Sequence, residues 1–278
     1  MFEFILGLFS FFITDTDVKM HEASRKNPTK KFVVNINEKE SKTTIPWNGH
    51  FAANNFRTKS SQKELKKIKD ILRKTISNLP KKHTEILDRL EVKNQEHVSR
   101  GMANGHKMIL NVGTIESEEE LAAIFLHEMG HVVDLGYFKG NYKTGKSEFY
   151  DGKKPIYKDD RSLAFYRLSW KNALARKKHS KRSDFVSGYG MSDPFEDFSE
   201  HYIFYRLHGE KFRSLAKKSK TLQKKYNFMR YNVFAMEEYQ TEKVINNGFG
   251  GDIWDTTLVS YEIKEITDKL QNNLISRF

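Results

Sequence analysis

From Ser61 onward, polar and apolar positions alternate with a helical period. In SQKELKKIKDILRKTISNLP, Leu65, Ile68, Leu72, Ile76 and Leu79 recur every three or four residues and share one face. Ser61 and Glu64 have capping-box spacing, and Pro80 marks the end. A second, short helix is expected over 82–90, and HKMILNVG reads as a strand ending at Gly113. The clearest helix is IESEEELAAIFLHEMGHVVDLG. Ser117 and Glu120 form another capping box, the acidic first turn suits the helix dipole, and Leu121, Phe125, Met129 and Val132 make a core face. Gly136 is placed to end it.

Residues 137–159 are rich in glycine and lysine and read as a long loop, of the kind that is functional or inserted. A helix is expected over 160–181. Another is expected over 192–209, with Asp193 or Ser192 as cap, Pro194 in the first turn and Gly209 after the end. KKYNFMRYNVF reads as a strand or a helix end, DIWDTTLVSYE as a strand, and IKEITDKLQNNLISRF as a terminal helix. The pattern divides the chain into an apolar segment (1–14), a polar linker or pro-segment (15–59), a domain (60–235) and a C-terminal extension packing on it (236–278). One short strand-like piece, 31–36, lies in the linker. The apolar run MFEFILGLFSFFI is too short to span a bilayer comfortably and has the length of a signal-peptide core or anchor. It lacks a basic start and an A-x-A cleavage site, so a buried N-terminal segment is the competing reading.

Composition narrows the class. A chain of 278 residues supports one sizeable core, and 38% apolar against 30% charged residues excludes a polytopic membrane protein. Without cysteine there is no disulfide, thiolate ligand or Cys nucleophile, so any metal must use His, Asp or Glu. The net charge of +12 serves solubility, or attraction to an acidic substrate or anionic surface. The basic runs 175–182 and 217–225 read as a solvated helix face and loop, because no nucleic-acid motif accompanies them.

The candidate chemistry centres on HEMGH. His127 and His131 are four apart on a helix and point the same way, which lets them share one ion. Glu128 sits one step round, within reach of water but not of the metal. A catalytic zinc site needs a third protein ligand, and the continuation HEMGHVVDLGYF lacks the histidine of the H-x-x-G-x-x-H pattern. The third ligand is therefore expected to be a carboxylate on a later helix. Glu196 and Glu200 share a helical face there: one can bind zinc and the other can accept a hydrogen bond from the far nitrogen of a ligand histidine. Phe195, Phe198, Tyr202 and Tyr205 read as core. His201 reads as structural, His106 as a turn residue, and Asp134 as a hydrogen-bonding residue of the second shell or of solvent. KMILN reads as an edge strand suited to pairing with an extended substrate.

HEMGH followed by YGMSDPFEDFSE resembles the catalytic domain of anthrax-toxin lethal-factor-like zinc metallopeptidases, and is similar to secreted Pro-Pro endopeptidases. In that family a tyrosine precedes the ligand glutamate by seven residues and a second glutamate follows it by four, as do Tyr189, Glu196 and Glu200. The resemblance covers roughly residues 60–235. It implies an α+β, mostly helical, zincin-like domain with a small edge-strand sheet. It also implies one catalytic Zn2+ held by His127, His131 and Glu196. Glu128 would be general base and then general acid, Tyr189 the hydrogen-bond donor to the oxyanion, and Glu200 the residue orienting a ligand histidine. The function so implied is endopeptidase action on a protein or peptide substrate; the length of the apolar run 1–13 points separately to export or anchoring, and so to a place outside the cell or at its surface. The rival is a catalytically silent toxin or binding component that kept the fold. The His131–Tyr189 interval exceeds that of the smallest members, and the extra length falls in 137–159, where a loop would cover the cleft. No local sequence carries over a preference for proline.

Overall fold

The computed structural model describes residues 47–239, 253–261 and 269–270. The expected apolar segment at 1–13, the strand at 31–36 and most of the expected terminal helix lie outside these residues. The two of the latter that are described, Lys269–Leu270, are strand.

Four strands form the main sheet: β1 (His50–Asn54), β2 (Arg89–Lys93), β3 (Gly101–Ala103) and β4 (Lys107–Asn111), in the order β1-β2-β4-β3. The first three in that order are parallel, and β3 runs antiparallel on the edge. Register pairs Leu90 with Met108 and Val92 with Leu110, and all four are fully buried. This two-residue alternation explains why the helix expected over 82–90 is absent. Only Lys81–Thr84 is helical (α2), and Arg89 already belongs to β2. The strand β1 lies in the stretch read as linker, so the packed core begins before residue 60.

Parallel pairing of β1 and β2 requires a crossover, which α1 (Lys59–Ser77) supplies. Its buried face contains Leu65, Ile68, Leu72 and Ile76, as the periodicity predicts. The cap is one turn earlier than expected. The Thr58 hydroxyl accepts from Ser61 N–H (3.1 Å) while the Ser61 hydroxyl accepts from Thr58 N–H (3.0 Å), so serine takes the part assigned to Glu64.

The helix α3 (Glu118–Val132) lies beside α1 and the β3–β4 edge, and it is buried almost all round from Leu121. Ser117 accepts from Glu120 N–H (3.0 Å), but the Glu120 carboxylate returns to Glu116 N–H and to Arg100 instead of to Ser117, so only half of the expected box forms. A π-helical turn, Val133–Tyr137, carries α3 past its last α turn.

Residues 137–159 are not one open loop. After a 3-10 turn they form a hairpin of β5 (Lys146–Asp151) and β6 (Lys154–Tyr157), buried through Phe149 and Ile156, with Gly152 at φ +56° in the turn. The helix expected over 160–181 stops early as α4 (Leu163–Ser169). Trp170 is extended, and a small hairpin, β7 (Trp170–Asn172) and β8 (Ala175–Arg176), follows. The Asn172 carboxamide accepts from Leu174 N–H (3.0 Å), competing with the helical ladder.

Three helices complete the packing: α5 (Pro194–Leu207), α6 (Gly209–Ala216) and α7 (Lys220–Phe228). Asp193, one of the two expected caps, caps α5, and Pro194 lies in its first turn as expected. KKYNFMRYNVF is the end of α7 plus a π turn, the second of its two readings. Phe138, Phe165, Phe198 and Phe228 meet edge to face or tilted at centroid distances of 5.3–6.2 Å, joining the end of the π turn after α3 to α4, α5 and α7 in one aromatic core. The architecture is mixed, with helices predominating and only small sheets. No described helix is long and apolar enough to cross a membrane.

Of the expected strand DIWDTTLVSYE, the described part, 253–261, is irregular with one 3-10 turn, Thr256–Leu258. The Asp255 side chain caps it by accepting from Thr257 N–H (2.8 Å), which removes that group from any sheet ladder. KMILN is an interior strand, with β2 and β3 on either side. The edge is β3.

Candidate metal centre

Two helices build the site. On α3, His127 and His131 lie one turn apart with ring centroids 5.1 Å from each other. On α5, Asp193 accepts from both Phe195 N–H and Glu196 N–H (2.9 Å each), which fixes the first turn and sets Glu196 and Glu200 on one face. The helices come close where Gly130 meets Ser199. One ligand atom from each of His127, His131 and Glu196 lies within 4.8 Å of the others.

The Nε2 atom of His127 is 3.1 Å from Glu196 Oε2, and that of His131 is 3.4 Å from the same oxygen. On its other side His127 Nδ1 is 2.9 Å from Glu200 Oε1. Glu200 is fully buried, and its second oxygen accepts from Thr256 N–H (2.9 Å) and from the Thr256 hydroxyl (2.6 Å). Burial opposes ionisation of Glu196, but His131 and His127 hold its carboxyl well below the usual range. Burial likewise opposes protonation of His127, yet Glu196 and Glu200 raise its pKa well above the ordinary value. His131 is raised by Glu196 against the same burial cost. Two imidazoles and a carboxylate therefore converge, held by the balance of charge that a divalent cation would also satisfy.

Glu128 is buried against the edge strand: a Cβ at Gly101 would run into its carboxyl. Burial raises the pKa of Glu128, and its Oε2 has no hydrogen-bond partner among the described residues. Such an atom is costly unless the site uses it. Tyr189 stands in a 3-10 turn, Tyr189–Met191, with its ring 5.9 Å from that of His127. Burial, and then the neighbouring Glu196, push the phenol pKa well up, so it stays protonated at neutral pH. The six residues singled out in the sequence, His127, Glu128, His131, Tyr189, Glu196 and Glu200, thus lie in one place.

The other candidates fall outside the cluster. His201 is buried, with Nδ1 2.7 Å from the Asp197 carbonyl and 3.0 Å from its carboxylate. His106 is exposed in a turn, next to the Ile86 carbonyl. Asp134 is fully buried, away from solvent, and takes the Tyr166 hydroxyl on both oxygens at 2.6 Å. Of the basic runs, Lys225 is not solvated: it is a buried partner of Asp197.

Sequence reasoning missed Thr256, Arg100 and Asp255. Arg100 joins Glu120 at the start of α3 (2.7 Å) to Asp255 (2.6 Å). No spacing rule connects residue 256 to residue 200. A strand reading of 252–262 also gave no reason to place a hydroxyl there.

Comparison with models of known protein families, with curated proteins and with solved structures finds no match.

Proposed function

We propose that this chain is a zinc-dependent endopeptidase with a zincin-like active site, acting on a protein or peptide substrate. The observation that supports it most is the convergence of His127, His131 and Glu196 beside a buried Glu128 oxygen that has no partner among the described residues. The donor set suits zinc: two imidazoles and one carboxylate, with the Glu200 carboxylate 2.9 Å from the far nitrogen of His127. The likeness of HEMGH and YGMSDPFEDFSE to the lethal-factor-like peptidases points the same way.

Zinc, when bound, supplies Lewis acidity toward the scissile carbonyl and toward water. The rest falls to the chain. Glu128 takes the proton from the attacking water and delivers it to the leaving amine, and its raised pKa suits both halves of that exchange. Tyr189, protonated at neutral pH, donates to the carbonyl oxygen as charge develops there. Glu200 holds the Nδ1 proton of His127, leaving Nε2 free to face the ligand position. Among the described residues β3 has a neighbour on one side only, and its Gly101 touches Glu128, so an extended peptide pairing with β3 would pass the base.

The test is digestion of a diverse peptide library by the purified protein beside Glu128→Ala, with zinc content measured for both. Cuts made only by the wild type, with zinc in both proteins, are the expected result. Absence of zinc in the wild type, or equal cutting by both proteins, would refute the reading.

A further inference from the structure

The segment Ile253–Tyr261 touches the centre at several points. Gly188 N–H donates to the Ile253 carbonyl (2.7 Å) and Tyr189 N–H to that of Trp254 (2.6 Å), so the backbone that carries the candidate oxyanion donor is held by this strap. The Trp254 indole covers Gly188, with its ring centroid 6.4 Å from that of Tyr189. Asp255 and Thr257 bind Arg100 (2.6 and 3.1 Å), which also binds Glu120 in the first turn of α3. The Tyr261 hydroxyl donates to the Glu119 carbonyl (2.5 Å). Between these anchors Thr256 directs two donors at a single oxygen of Glu200, whose other oxygen meets His127.

We propose that Thr256 is a positioning residue for His127, acting through Glu200, and that the strap is therefore part of the metal centre. A fully buried carboxylate that engages a histidine through one oxygen is free to rotate about its last torsion unless the other oxygen is fixed. The hydroxyl and N–H of Thr256 fix it and also offset part of the cost of burying the charge. The chain of bonds runs from Thr256 to Glu200 to His127 Nδ1. It sets the tautomer and tilt with which His127 presents Nε2. The inference rests on the zinc reading of the site.

The experiment is zinc affinity of the full chain, measured by competition with a chromophoric chelator, for wild type, Thr256→Val, Thr256→Ser and Thr257→Val. Valine keeps the shape and the N–H but deletes the hydroxyl. It should weaken zinc binding about tenfold or more, within the usual effect of outer-shell loss. Serine restores the hydroxyl and should bind within about twofold of wild type. Thr257→Val deletes the neighbouring hydroxyl, which meets Arg100 and Asp255 and not Glu200, leaves the anchors of the strap in place and should bind like wild type. Circular dichroism checks folding, and Thr256→Ala replaces the valine variant if that one is unfolded. Wild-type affinity in Thr256→Val would overturn the proposal, as would an equal loss in Thr256→Ser or Thr257→Val. A wild type that holds no zinc is a separate outcome, which removes the zinc reading itself and this inference with it.

Discussion

Gly130 and Ser199 meet where α3 crosses α5: a Cβ on Gly130 would lie 2.7 Å from the Cα of Ser199 and 2.9 Å from its Oγ. No rotamer change moves a backbone atom, so the small residue inside HEMGH sets how near His127 and His131 come to Glu196 and Glu200. Gly130→Ala improves intrinsic helix propensity by about 1 kcal/mol. The overpacking it introduces costs about 1–3 kcal/mol and falls on the ligand geometry. The expected outcome is weaker zinc binding with a net loss of thermal stability, read by zinc titration and a melting curve. An alanine variant that binds zinc like wild type would show that the close approach is not needed.

Glu128→Ala should retain zinc and the fold while turnover falls by about 10²–10⁴, the usual contribution of a positioned acid–base group. Metal analysis together with kcat decides it. Loss of zinc from this variant would mean that Glu128 is a ligand.

Tyr189→Phe removes a hydroxyl that matters most as negative charge develops. A fall in kcat of about 10²–10³ with little change in KM is expected, as for loss of one oxyanion donor. A change confined to KM would assign Tyr189 to substrate binding.

Lys225 and Asp197 form a buried ion pair at 2.6 Å, with Trp170 Nε1 (2.9 Å) and His201 Nδ1 (3.0 Å) also on the carboxylate. Burial opposes ionisation of Asp197, but the Lys225 charge holds its pKa below the ordinary value. Lys225→Met leaves the carboxylate buried without its cation and should cost about 3–5 kcal/mol in urea unfolding. Adding Asp197→Asn should return part of that. A cost below about 1 kcal/mol would mean that water reaches Asp197.

His83 is buried between the Tyr202 hydroxyl (3.0 Å) and the Val233 carbonyl (3.0 Å), an arrangement satisfied by a neutral ring that donates from Nε2 and accepts at Nδ1. Burial, and then the nearby Lys82, lower its pKa from 6.5 to about 3. Below pH 6.5 the unfolded chain binds a proton that the folded chain does not, so this contribution is present above pH 6.5 and is lost as pH falls toward 3. Comparing wild type with His83→Gln isolates the group from other titrations. The stability gap between them should shrink by about 2 kcal/mol from pH 7 to pH 5, measured by urea denaturation. A gap that stays constant with pH would mean that His83 is not held neutral.

Much of the site was legible because helical spacing is local. Residues one turn apart share a face whatever surrounds them, so His127 with His131 and Glu196 with Glu200 could each be paired before any fold was known. Capping chemistry narrows the start of α5 to Ser192 or Asp193 for the same reason, and Asp193 is the cap. Strands were less legible. The helix expected over 82–90 takes in Arg89 and Leu90 of β2, because the alternation of buried Leu90 and Val92 has meaning only against Met108 and Leu110 across the sheet. The hairpin at 146–157 was read as loop, since its glycines and lysines conceal the two inward positions, Phe149 and Ile156.

The sequence by itself determined two pairs of candidate donors, His127 with His131 and Glu196 with Glu200, and the helical face each pair shares, because these depend on neighbours within one turn. The tertiary structure decided the rest. It placed β3 and not KMILN at the sheet edge, brought Gly101 against Glu128, and laid Ile253–Tyr261 across the centre so that Thr256 holds Glu200. Those relationships join residues tens of positions apart. They arise from the packing of buried surfaces and from the need to satisfy buried charge, and neither leaves a periodic mark along the chain.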